Sequence, residues 1–287
     1  MLTEHCFTTP VVTLNYAEGE ASGSPLVLLH GGSARWQCAL PLLPELSQQW
    51  QVYAPDLRGH GRSGRVPGSY RLTDYVADIV TFLQQVVKHP AVLFGHSLGG
   101  EIAILIAAIY PELCRGLIIG DAPLDLANMR SSSQRNRERL LYWREWAGPG
   151  HSTEEIAEAL KNTPIAVEGK SDLVAAHILF GEEHPWFQWM AENLQHNDPE
   201  MLTAVLEFNQ MHEGYDYQRL FPLIACPTLI IQGNPAYGGI LTDEEIEQAL
   251  RLLPCATVAR MQTVGHPLHT QEKEEVLRAM TTFLKTL

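Results

Sequence analysis

The sequence has no long apolar run and no basic leader at its start. No stretch reaches the roughly 18 uninterrupted apolar residues that a helix needs to span a bilayer. Residues 1–10 include Glu4 and His5, whereas a signal peptide has a basic stretch followed by an apolar one. These absences predict a cytoplasmic protein that does not contact a membrane.

Positive charge is also scarce. The chain has 20 Lys and Arg residues against 33 Asp and Glu residues, which gives a formal net charge of -13. An acidic surface repels nucleic acids and anionic membranes at long range, so we expect neither as a partner and expect a small-molecule substrate instead. The composition leaves the oligomeric state open, with a homodimer as one option.

Cysteine is rare and shows no paired motif. The 5 cysteines are widely spaced and none belongs to a C-x-x-C arrangement, so the sequence predicts neither a metal site nor a redox centre. We interpret all of them as reduced thiols in the core: Cys6, Cys38, Cys114, Cys226 and Cys255.

The sequence does contain the alternating pattern of an α/β protein. Short apolar runs predict a mostly parallel twisted sheet flanked by helices, with strands at 25–30, 51–55, 91–94, 117–120, 228–232 and 256–261. Residues 7–16 predict an antiparallel pair at one edge of this sheet. Apolar residues at helical spacing predict an amphipathic helix over 72–87, and the nearly all-apolar segment 98–110 predicts a buried helix.

One long segment interrupts this alternation. From 123 to 222 the strand-like runs vanish, and the sequence becomes helical, charged and rich in tryptophan. We therefore predict a core made of residues 1–122 and 223–287, with a helical cap, or lid, inserted at 123–222. Beyond the insertion, Thr242 and Glu245 have the spacing of a capping box, and Thr270 can cap a final helix.

The strongest local signal is the segment Gly95-His96-Ser97-Leu98-Gly99. It stands directly between a predicted buried strand and a predicted buried helix. In that context the two glycines let the chain reverse sharply around the serine, whose side chain then stands clear of the sheet. This pattern is typical of a nucleophile elbow, in which Ser97 lies at a helix N-terminus that favours developing negative charge.

With this elbow the chain resembles the α/β-hydrolase superfamily, and in particular its serine-nucleophile members with a helical cap. A second matching segment, His30-Gly31-Gly32-Ser33, follows the first parallel strand as the HG-type oxyanion loop does. The resemblance implies the α/β-hydrolase fold. It also implies an oxyanion hole formed by the backbone N–H groups of Gly32 and Leu98.

A third segment, from Asp56 to Ser63 (DLRGHGRS), is similar to the D-x-R-G-x-G-x-S segment after the next strand of the same superfamily. It supports the fold more than the chemistry. Residues 59–64 also satisfy G-x-G-x-x-G, but the RVPG segment that follows does not open the helix that a dinucleotide site requires. We expect no cofactor and no metal.

Gly265-His266 lies just past the last predicted strand, where the superfamily places its catalytic histidine. A serine hydroxyl is nearly inert at neutral pH unless a base removes its proton, and imidazole titrates in the useful range. We therefore take His266 as the base, with His269 as its main rival.

The acid of the expected catalytic triad departs from the superfamily's usual pattern, because the three residues after Gly233 include no carboxylate. We favour Asp121, which follows the 117–120 strand and preserves the order Ser, Asp, His. Asp243 remains an alternative, although acidic residues in the first turn of a helix commonly serve the helix dipole. Asn234 remains another, as a neutral amide that orients the imidazole.

Large apolar side chains of the predicted cap are available to line a pocket. Our candidate substrate-binding residues are Trp143, Trp186 and Trp189, and they favour an apolar or aromatic substrate. The cap also has a basic run, which we interpret as a solvated helix face rather than a carboxylate site: Arg130, Arg135, Arg137, Arg139 and Arg144.

These features together predict a serine hydrolase of the carboxylesterase type. Ser97 would form an acyl-enzyme with an ester, a lactone or an activated C–C ketone, and His266 would transfer the proton in both half-reactions. The alternative is a ligand receptor or scaffold that kept the fold and lost efficient turnover, and the missing acid after Gly233 is its support.

Overall fold

Short apolar runs form the strands of one central sheet in the computed structural model, which describes residues 2–20, 23–167, 172–253, 255–268 and 273–287. The strands of this sheet and of a small separate hairpin (β7 and β8) are, in chain order, β1 (Leu2–Thr8), β2 (Thr13–Gly19), β3 (Ser24–Leu29), β4 (Trp50–Pro55), β5 (Ala91–His96), β6 (Cys114–Gly120), β7 (Pro164–Ile165), β8 (Val174–Ala175), β9 (Thr228–Gln232) and β10 (Ala256–Arg260).

The central sheet has eight strands in the order β1-β2-β4-β3-β5-β6-β9-β10. β1 pairs antiparallel with β2, and β2 antiparallel with β4, while all pairs from β4 to β10 are parallel. This confirms the mostly parallel sheet and the antiparallel pair at its edge. The strand order reverses beside β3, where β5 lies on the side opposite β4, and open α/β sheets bind ligands at the carboxyl ends of strands around such a point.

Helices cover the two faces of the sheet, and two buried apolar clusters fill the space between them. The helices are α1 (Leu43–Leu46), α2 (Leu72–Phe82), α3 (Leu98–Ile109), α4 (Leu126–Arg135), α5 (Arg137–Trp146), α6 (Thr153–Leu160), α7 (Ala176–Phe180), α8 (Trp186–Gln195), α9 (Pro199–Leu206), α10 (Phe208–Met211), α11 (Tyr217–Leu220), α12 (Asp243–Leu252) and α13 (Lys273–Leu284). Single 3-10 turns lie at Trp36–Ala39, Pro111–Leu113, Phe221–Leu223 and Pro235–Tyr237, and a π-helical turn at Leu83–Val87 extends α2.

Local sequence explains the helices nearest to the site. In α3 every residue from Leu98 to Ala108 is buried, because all its side chains except that of Glu101 are apolar or small and the helix packs against β5 and β6. The capping box predicted at α12 is present, with Thr242 Oγ1 accepting the N–H of Glu245 and the Glu245 carboxylate accepting the N–H of Thr242. The predicted cap of the last helix, Thr270, lies outside the described residues.

Helices α4 to α11 form one insertion between β6 and β9. The insertion is mainly helical, but the prediction that strands are absent from it was wrong. β7 and β8 pair antiparallel through Pro164 with Ala175 and Ile165 with Val174. Strands of two residues carry no alternating pattern long enough to be recognised in a sequence.

The cysteines are all free thiols, but the prediction that each lies in the core was wrong. Cys38 and Cys114 are buried, Cys226 is partly buried, and Cys6 and Cys255 are exposed. Cys6 lies on the edge strand β1, where successive side chains alternate between the two faces. In the part of the chain that the structure describes, no helix combines the length and the apolarity needed to cross a membrane.

Candidate active site

Ser97 lies at the turn between β5 and α3, with a backbone φ of 50°. A residue other than glycine in this region stores on the order of 1–3 kcal/mol of strain, which persists only where the surroundings hold it. Glycine at 95 and 99 lets the strand and helix come this close: a Cβ on Gly95 would lie 2.1 Å from the Gly99 carbonyl oxygen, and one on Gly99 2.3 Å from that of Leu29. The Ser97 side chain therefore stands at the carboxyl end of the sheet, where it lines a large cavity.

The loop after β3 passes directly beside Ser97. A Cβ on Gly31 would lie 2.9 Å from His96 Nδ1 and 3.2 Å from Ser97 Cβ, so the loop approaches this closely only because residue 31 is glycine. Gly32 and Leu98 both line the same cavity as Ser97. Leu98 is the first residue of α3, and N–H groups in the first turn of a helix have no acceptor within the helix.

Two buried imidazoles hold this loop in place. His30 Nε2 accepts the N–H of Leu57 at 3.0 Å, and His60 Nε2 accepts the N–H of Ser33 at 3.3 Å. The His60 Nδ1–H donates to the carbonyl of Arg58 at 2.8 Å. Burial, reinforced by the neighbouring His30, lowers the pKa of His60 to about 3, so this imidazole is neutral at pH 7. Residues 56–63 thus hold the loop through one hydrogen bond to the His30 side chain and one to the Ser33 backbone.

Asp121 and His266 meet at the carboxyl ends of β6 and β10. The His266 Nδ1–H donates to Asp121 Oδ2 at 2.8 Å. The Asp121 carboxylate is fully buried and also accepts the backbone N–H groups of Gly233 at 2.9 Å, Ile240 at 3.0 Å and Leu241 at 3.3 Å. Its backbone φ is 41°, a second strained position beside the cavity. The carboxylate is therefore fixed by donors on two sides.

These donors decide the charge of Asp121. Burial raises the pKa of the carboxyl, but the hydrogen bond and charge of His266, together with the backbone N–H groups, lower it more, and the net pKa lies below its ordinary value. Asp121 is therefore ionised at neutral pH. Because an ionised carboxylate only accepts, the neutral His266 ring carries its proton on Nδ1 and presents Nε2 as the acceptor nitrogen.

The other two candidates for the acid lie elsewhere. Asp243 Oδ1 accepts from Gln232 Nε2 at 3.0 Å and lies 3.6 Å from Arg260 Nε, with 75% of the side chain exposed. Asn234 caps a 3-10 turn, where its Oδ1 accepts the N–H of Ala236 at 2.9 Å. Neither of these side chains contacts His266 through these bonds, whereas Asp121 does.

His96, which precedes Ser97, also contacts His266. The His96 Nε2–H donates to the His266 carbonyl oxygen at 2.7 Å, and the two ring centroids are 4.7 Å apart. The contact joins the strand end that carries Ser97 to the loop that carries the imidazole. This contact was not predictable from the sequence, because residue 96 is an unspecified position of the G-x-S-x-G pattern. The rival base, His269, lies outside the described residues.

A cavity of about 680 Å³ contains Ser97 and His266 in its wall. Small-molecule sites commonly have volumes of roughly 300–1,000 Å³. The structure brings Trp143, Trp186 and Trp189 to this cavity, and the Trp143 and Trp186 rings pack with their centroids 6.1 Å apart. Further apolar lining comes from the insertion: Leu140, Ile165, Phe180, Met190, Met201, Leu202, Val205 and Met211.

Three ionisable side chains of the cavity were missed or misread from the sequence. His212 Nε2 lies 3.5 Å from Glu101 Oε2, and both side chains are buried. Burial lowers the pKa of His212, but its contacts with Glu101 and with the Phe208 carbonyl raise it more, so the net pKa lies above its ordinary value. Arg139 lines the cavity too, so its interpretation as part of a solvated helix face was wrong.

A sequence signal for Arg139 did exist. It lies four residues before Trp143 on α5, and positions i and i+4 share one face of a helix. The Glu101 and His212 contact had no such signal, because the two residues are far apart in the chain and belong to α3 and to the end of α10.

The chain is similar in sequence to known hydrolases. The family model described as "Alpha/beta hydrolase family" matches residues 26–279. One relative, the 2-(acetamidomethylene)succinate hydrolase of Mesorhizobium japonicum, is 34% identical over 110 residues, which span 38% of this chain and only 39% of that protein. The sn-1-specific diacylglycerol lipase ABHD11 of Danio rerio is 24% identical over 282 residues, which cover 96% of this chain and 82% of the relative.

Solved structures agree on the architecture. The crystal structure of E-2-(acetamidomethylene)succinate hydrolase superposes with a TM-score of 0.76 at 19% identity, covering 99% of this chain and 100% of the other. A hydrolase from Pseudomonas aeruginosa superposes with a TM-score of 0.76 at 20% identity, covering 98% of each chain. At these identities the likeness shows the fold.

Proposed function

Because this chain belongs to the alpha/beta hydrolase family, we propose that it is a serine hydrolase that cleaves an ester, a lactone or a related acyl or C–C bond. The observation that carries the proposal is the 2.8 Å hydrogen bond between Asp121 Oδ2 and His266 Nδ1, beside the cavity that Ser97 lines. Nucleophilic acyl transfer requires a serine, an imidazole base and a group that orients the base.

In the first half of the proposed reaction, Ser97 Oγ attacks the carbonyl carbon of the substrate while His266 Nε2 removes the hydroxyl proton. The carbonyl oxygen becomes an oxyanion that accepts the N–H groups of Gly32 and Leu98, each worth roughly 10²- to 10³-fold in kcat. The tetrahedral intermediate then collapses. The bond to the leaving group breaks, that group takes the proton from His266, and an acyl ester remains on Ser97.

In the second half, water replaces the leaving group. His266 Nε2 removes a proton from the water, whose oxygen attacks the acyl carbon and forms a second oxyanion at Gly32 and Leu98. Collapse breaks the bond to Ser97 Oγ, which regains its proton from His266, and the carboxylic acid is released. Asp121 keeps the imidazole in the Nδ1–H tautomer and stabilises the imidazolium formed in each half-reaction.

The insertion, residues 123–222, has the role of a cap in this proposal. Its helices supply the tryptophans Trp143, Trp186 and Trp189 to the cavity, while the core supplies Ser97 and His266. An enclosure of this kind removes water from the reacting groups and strengthens the electrostatic interactions inside it. The apolar lining favours a small apolar or aromatic carbon skeleton in the substrate.

The alternative, a receptor or scaffold without turnover, depended on the absence of a carboxylate after Gly233. The contact of Asp121 with His266 at the end of β6 supports Asp121 as the orienting acid, and this weakens the argument for a receptor. The strained φ at Ser97 also favours catalysis, because strain of this kind is commonly retained where it serves a reaction.

A fluorophosphonate probe tests the proposal without knowledge of the substrate. We expect one adduct per chain, mapped by peptide mass spectrometry to Ser97, and no adduct in Ser97→Ala. His266→Gln should slow labelling at least about 100-fold, because it removes the general base. Asp243→Asn is the matched control, since Asp243 lies on the exposed side of α12, and it should label at the rate of the unmodified protein.

Two results would overturn the proposal. One is a folded protein whose Ser97 stays unlabelled after prolonged incubation at millimolar probe. The other is labelling of Ser97 at an unchanged rate in His266→Gln, which would show that the imidazole does not activate the hydroxyl.

A further inference from the structure

Among the described residues, Arg139 has no counter-ion, although it lines a mainly apolar cavity. Its guanidinium Cζ lies 5.0 Å from the centre of the Trp143 ring, and its Nε is buried with no hydrogen-bond acceptor among the described residues. No carboxylate in the described part of the chain lies within 4.0 Å of its nitrogens. Burial alone lowers the pKa of Arg139 to about 10, so it remains charged at neutral pH.

Such a position is costly unless something compensates it. A partly buried cation loses part of its hydration, and the face of Trp143 holds the guanidinium without neutralising it. The chain has 33 acidic residues against 20 basic ones, yet none of the described acids pairs with Arg139. A planar fork of N–H donors that faces a cavity is the arrangement that binds a carboxylate through two parallel hydrogen bonds.

The other charged groups of the cavity permit an anionic ligand. Glu101 is a carboxylate in the wall, but His212 lies 3.5 Å from it, and the imidazole balances its charge when it is protonated, which its raised pKa favours. Asp121 faces the backbone N–H groups behind His266. Among the described charged groups of the cavity wall, Arg139 is therefore the one whose charge a ligand would neutralise.

We propose that Arg139 binds a carboxylate of the substrate, so that this enzyme acts on acyl compounds that carry a second, ionised carboxyl group. The inference rests on the proposed acyl transfer at Ser97 and specifies its substrate class. Arg139 holds the carboxylate at the cap wall, Trp143 and its neighbours contact the carbon skeleton, and the scissile carbonyl reaches Ser97.

Matched ester pairs test this proposal. The mono-4-nitrophenyl esters of glutarate, adipate and pimelate carry a carboxylate, and the corresponding methyl 4-nitrophenyl diesters are neutral analogues of similar length. Using the chain-length series, we expect the unmodified protein to prefer at least one half-ester. Arg139→Met should lower kcat/KM for that half-ester roughly 10- to 100-fold, which is the range for a charge-assisted hydrogen bond. For the matching diester, kcat/KM should change less than about threefold.

Two further variants sharpen the result. Arg139→Lys keeps the charge but not the fork, so it should recover part of the preference. Arg137→Met removes an exposed arginine from the same helix and should leave kcat/KM unchanged for both the half-ester and the diester. Fluorophosphonate labelling of Ser97 in Arg137→Met should also proceed as in the unmodified protein, since Arg137 is exposed and does not line the cavity.

Stability and binding give readouts that need no turnover. Because Arg139 is an uncompensated charge, Arg139→Met should raise Tm by roughly 2–4 °C in the absence of ligand. In Ser97→Ala protein, monomethyl adipate should raise Tm, and adding Arg139→Met should abolish that rise.

Failure of the inference is distinguishable from failure of the proposed function. Suppose that Ser97 is labelled and diesters are hydrolysed, but Arg139→Met lowers kcat/KM equally for half-ester and diester, or for neither. The proposed carboxylate site is then wrong, and the proposal of a serine hydrolase stands. If Ser97 is not labelled, the proposed function fails. The change in Tm on adding monomethyl adipate then still decides whether Arg139 binds a carboxylate. Absence of that shift overturns the inference.

Discussion

Replacing Asp121 by asparagine changes one atom at the point where the site is most constrained. Two donors face each carboxylate oxygen: Oδ1 accepts from Gly233 and Leu241, and Oδ2 accepts from Ile240 and His266. An amide in either orientation turns an NH₂ group toward two N–H donors. If it faces His266, the imidazole must shift its proton to Nε2, and the ring can no longer accept the serine proton.

The expected magnitude follows from this tautomer change. Loss of the orienting acid typically lowers turnover about 10⁴-fold, so we expect a loss of that order in kcat for any ester the protein hydrolyses. The same variant loses charge-assisted bonds, each worth roughly 1.5–3 kcal/mol, and we expect a net loss of about 2 kcal/mol in the free energy of unfolding. Hydrolysis of 4-nitrophenyl acetate and urea unfolding measure the two effects.

The pH dependence of stability provides an independent check on Asp121. Its pKa in the folded protein lies below the ordinary value of 3.8. The stabilisation by the ionised carboxylate is therefore fully present above pH 3.8 and is lost as the pH falls through the lower folded-state pKa. The stability difference between the unmodified protein and Asp121→Asn should be constant at neutral pH and shrink only in strong acid.

Asp243→Asn is the matched control for these measurements. Its exposed side chain contacts Gln232 and Arg260, so kcat should stay within about threefold of the unmodified value. Retention of more than a tenth of kcat in Asp121→Asn, or an equal loss in Asp243→Asn, would refute the reasoning.

Three further predictions follow from the packing around the cavity. Gly31→Ala places a methyl group 3.2 Å from Ser97 Cβ and displaces the oxyanion loop, so kcat should fall roughly 100-fold while KM changes little, as steady-state kinetics would show. Ser97→Gly relieves the positive φ that Ser97→Ala retains, so urea unfolding should find the glycine variant more stable by about 1 kcal/mol. The pKa of His212 is raised above its ordinary 6.5, so its pairing with Glu101 stabilises the protein fully below pH 6.5. This stabilisation is lost as the pH rises through the folded-state pKa. His212→Gln should therefore remove this pH dependence from the free energy of unfolding measured between pH 6 and 9.

Local patterns made most of the fold predictable. The strands that carry the site are short apolar runs, and the helix after Ser97 is nearly all apolar, so periodicity and flanking glycines identified both. The family pattern around Gly32 and His266 added the expected positions in the chain. We favoured Asp121 over Asp243 because Asp121 follows the 117–120 strand, whereas Asp243 lies in the first turn of a helix, where acidic residues commonly serve the dipole. The structure puts Asp121, not Asp243, against the imidazole.

Contacts between distant segments were not predictable in the same way. Glu101 meets His212, and His96 meets the carbonyl of His266, only because the fold brings separate elements together, and no spacing in the sequence encodes this. Arg139 was misread because its charged neighbours suggested a solvated face. Which face of α5 is buried depends on how the insertion packs over the sheet, and that is a property of tertiary structure.

The most direct test of the account is a crystal structure of the protein after reaction with the fluorophosphonate probe. We predict phosphorus bonded to Ser97 Oγ, with the phosphonyl oxygen about 2.7–3.1 Å from the N–H groups of Gly32 and Leu98. His266 should lie beside the adduct with its Nδ1 still on Asp121. Phosphorus on another residue, or a phosphonyl oxygen turned away from both N–H groups, would contradict the assignment of Ser97 and the oxyanion hole.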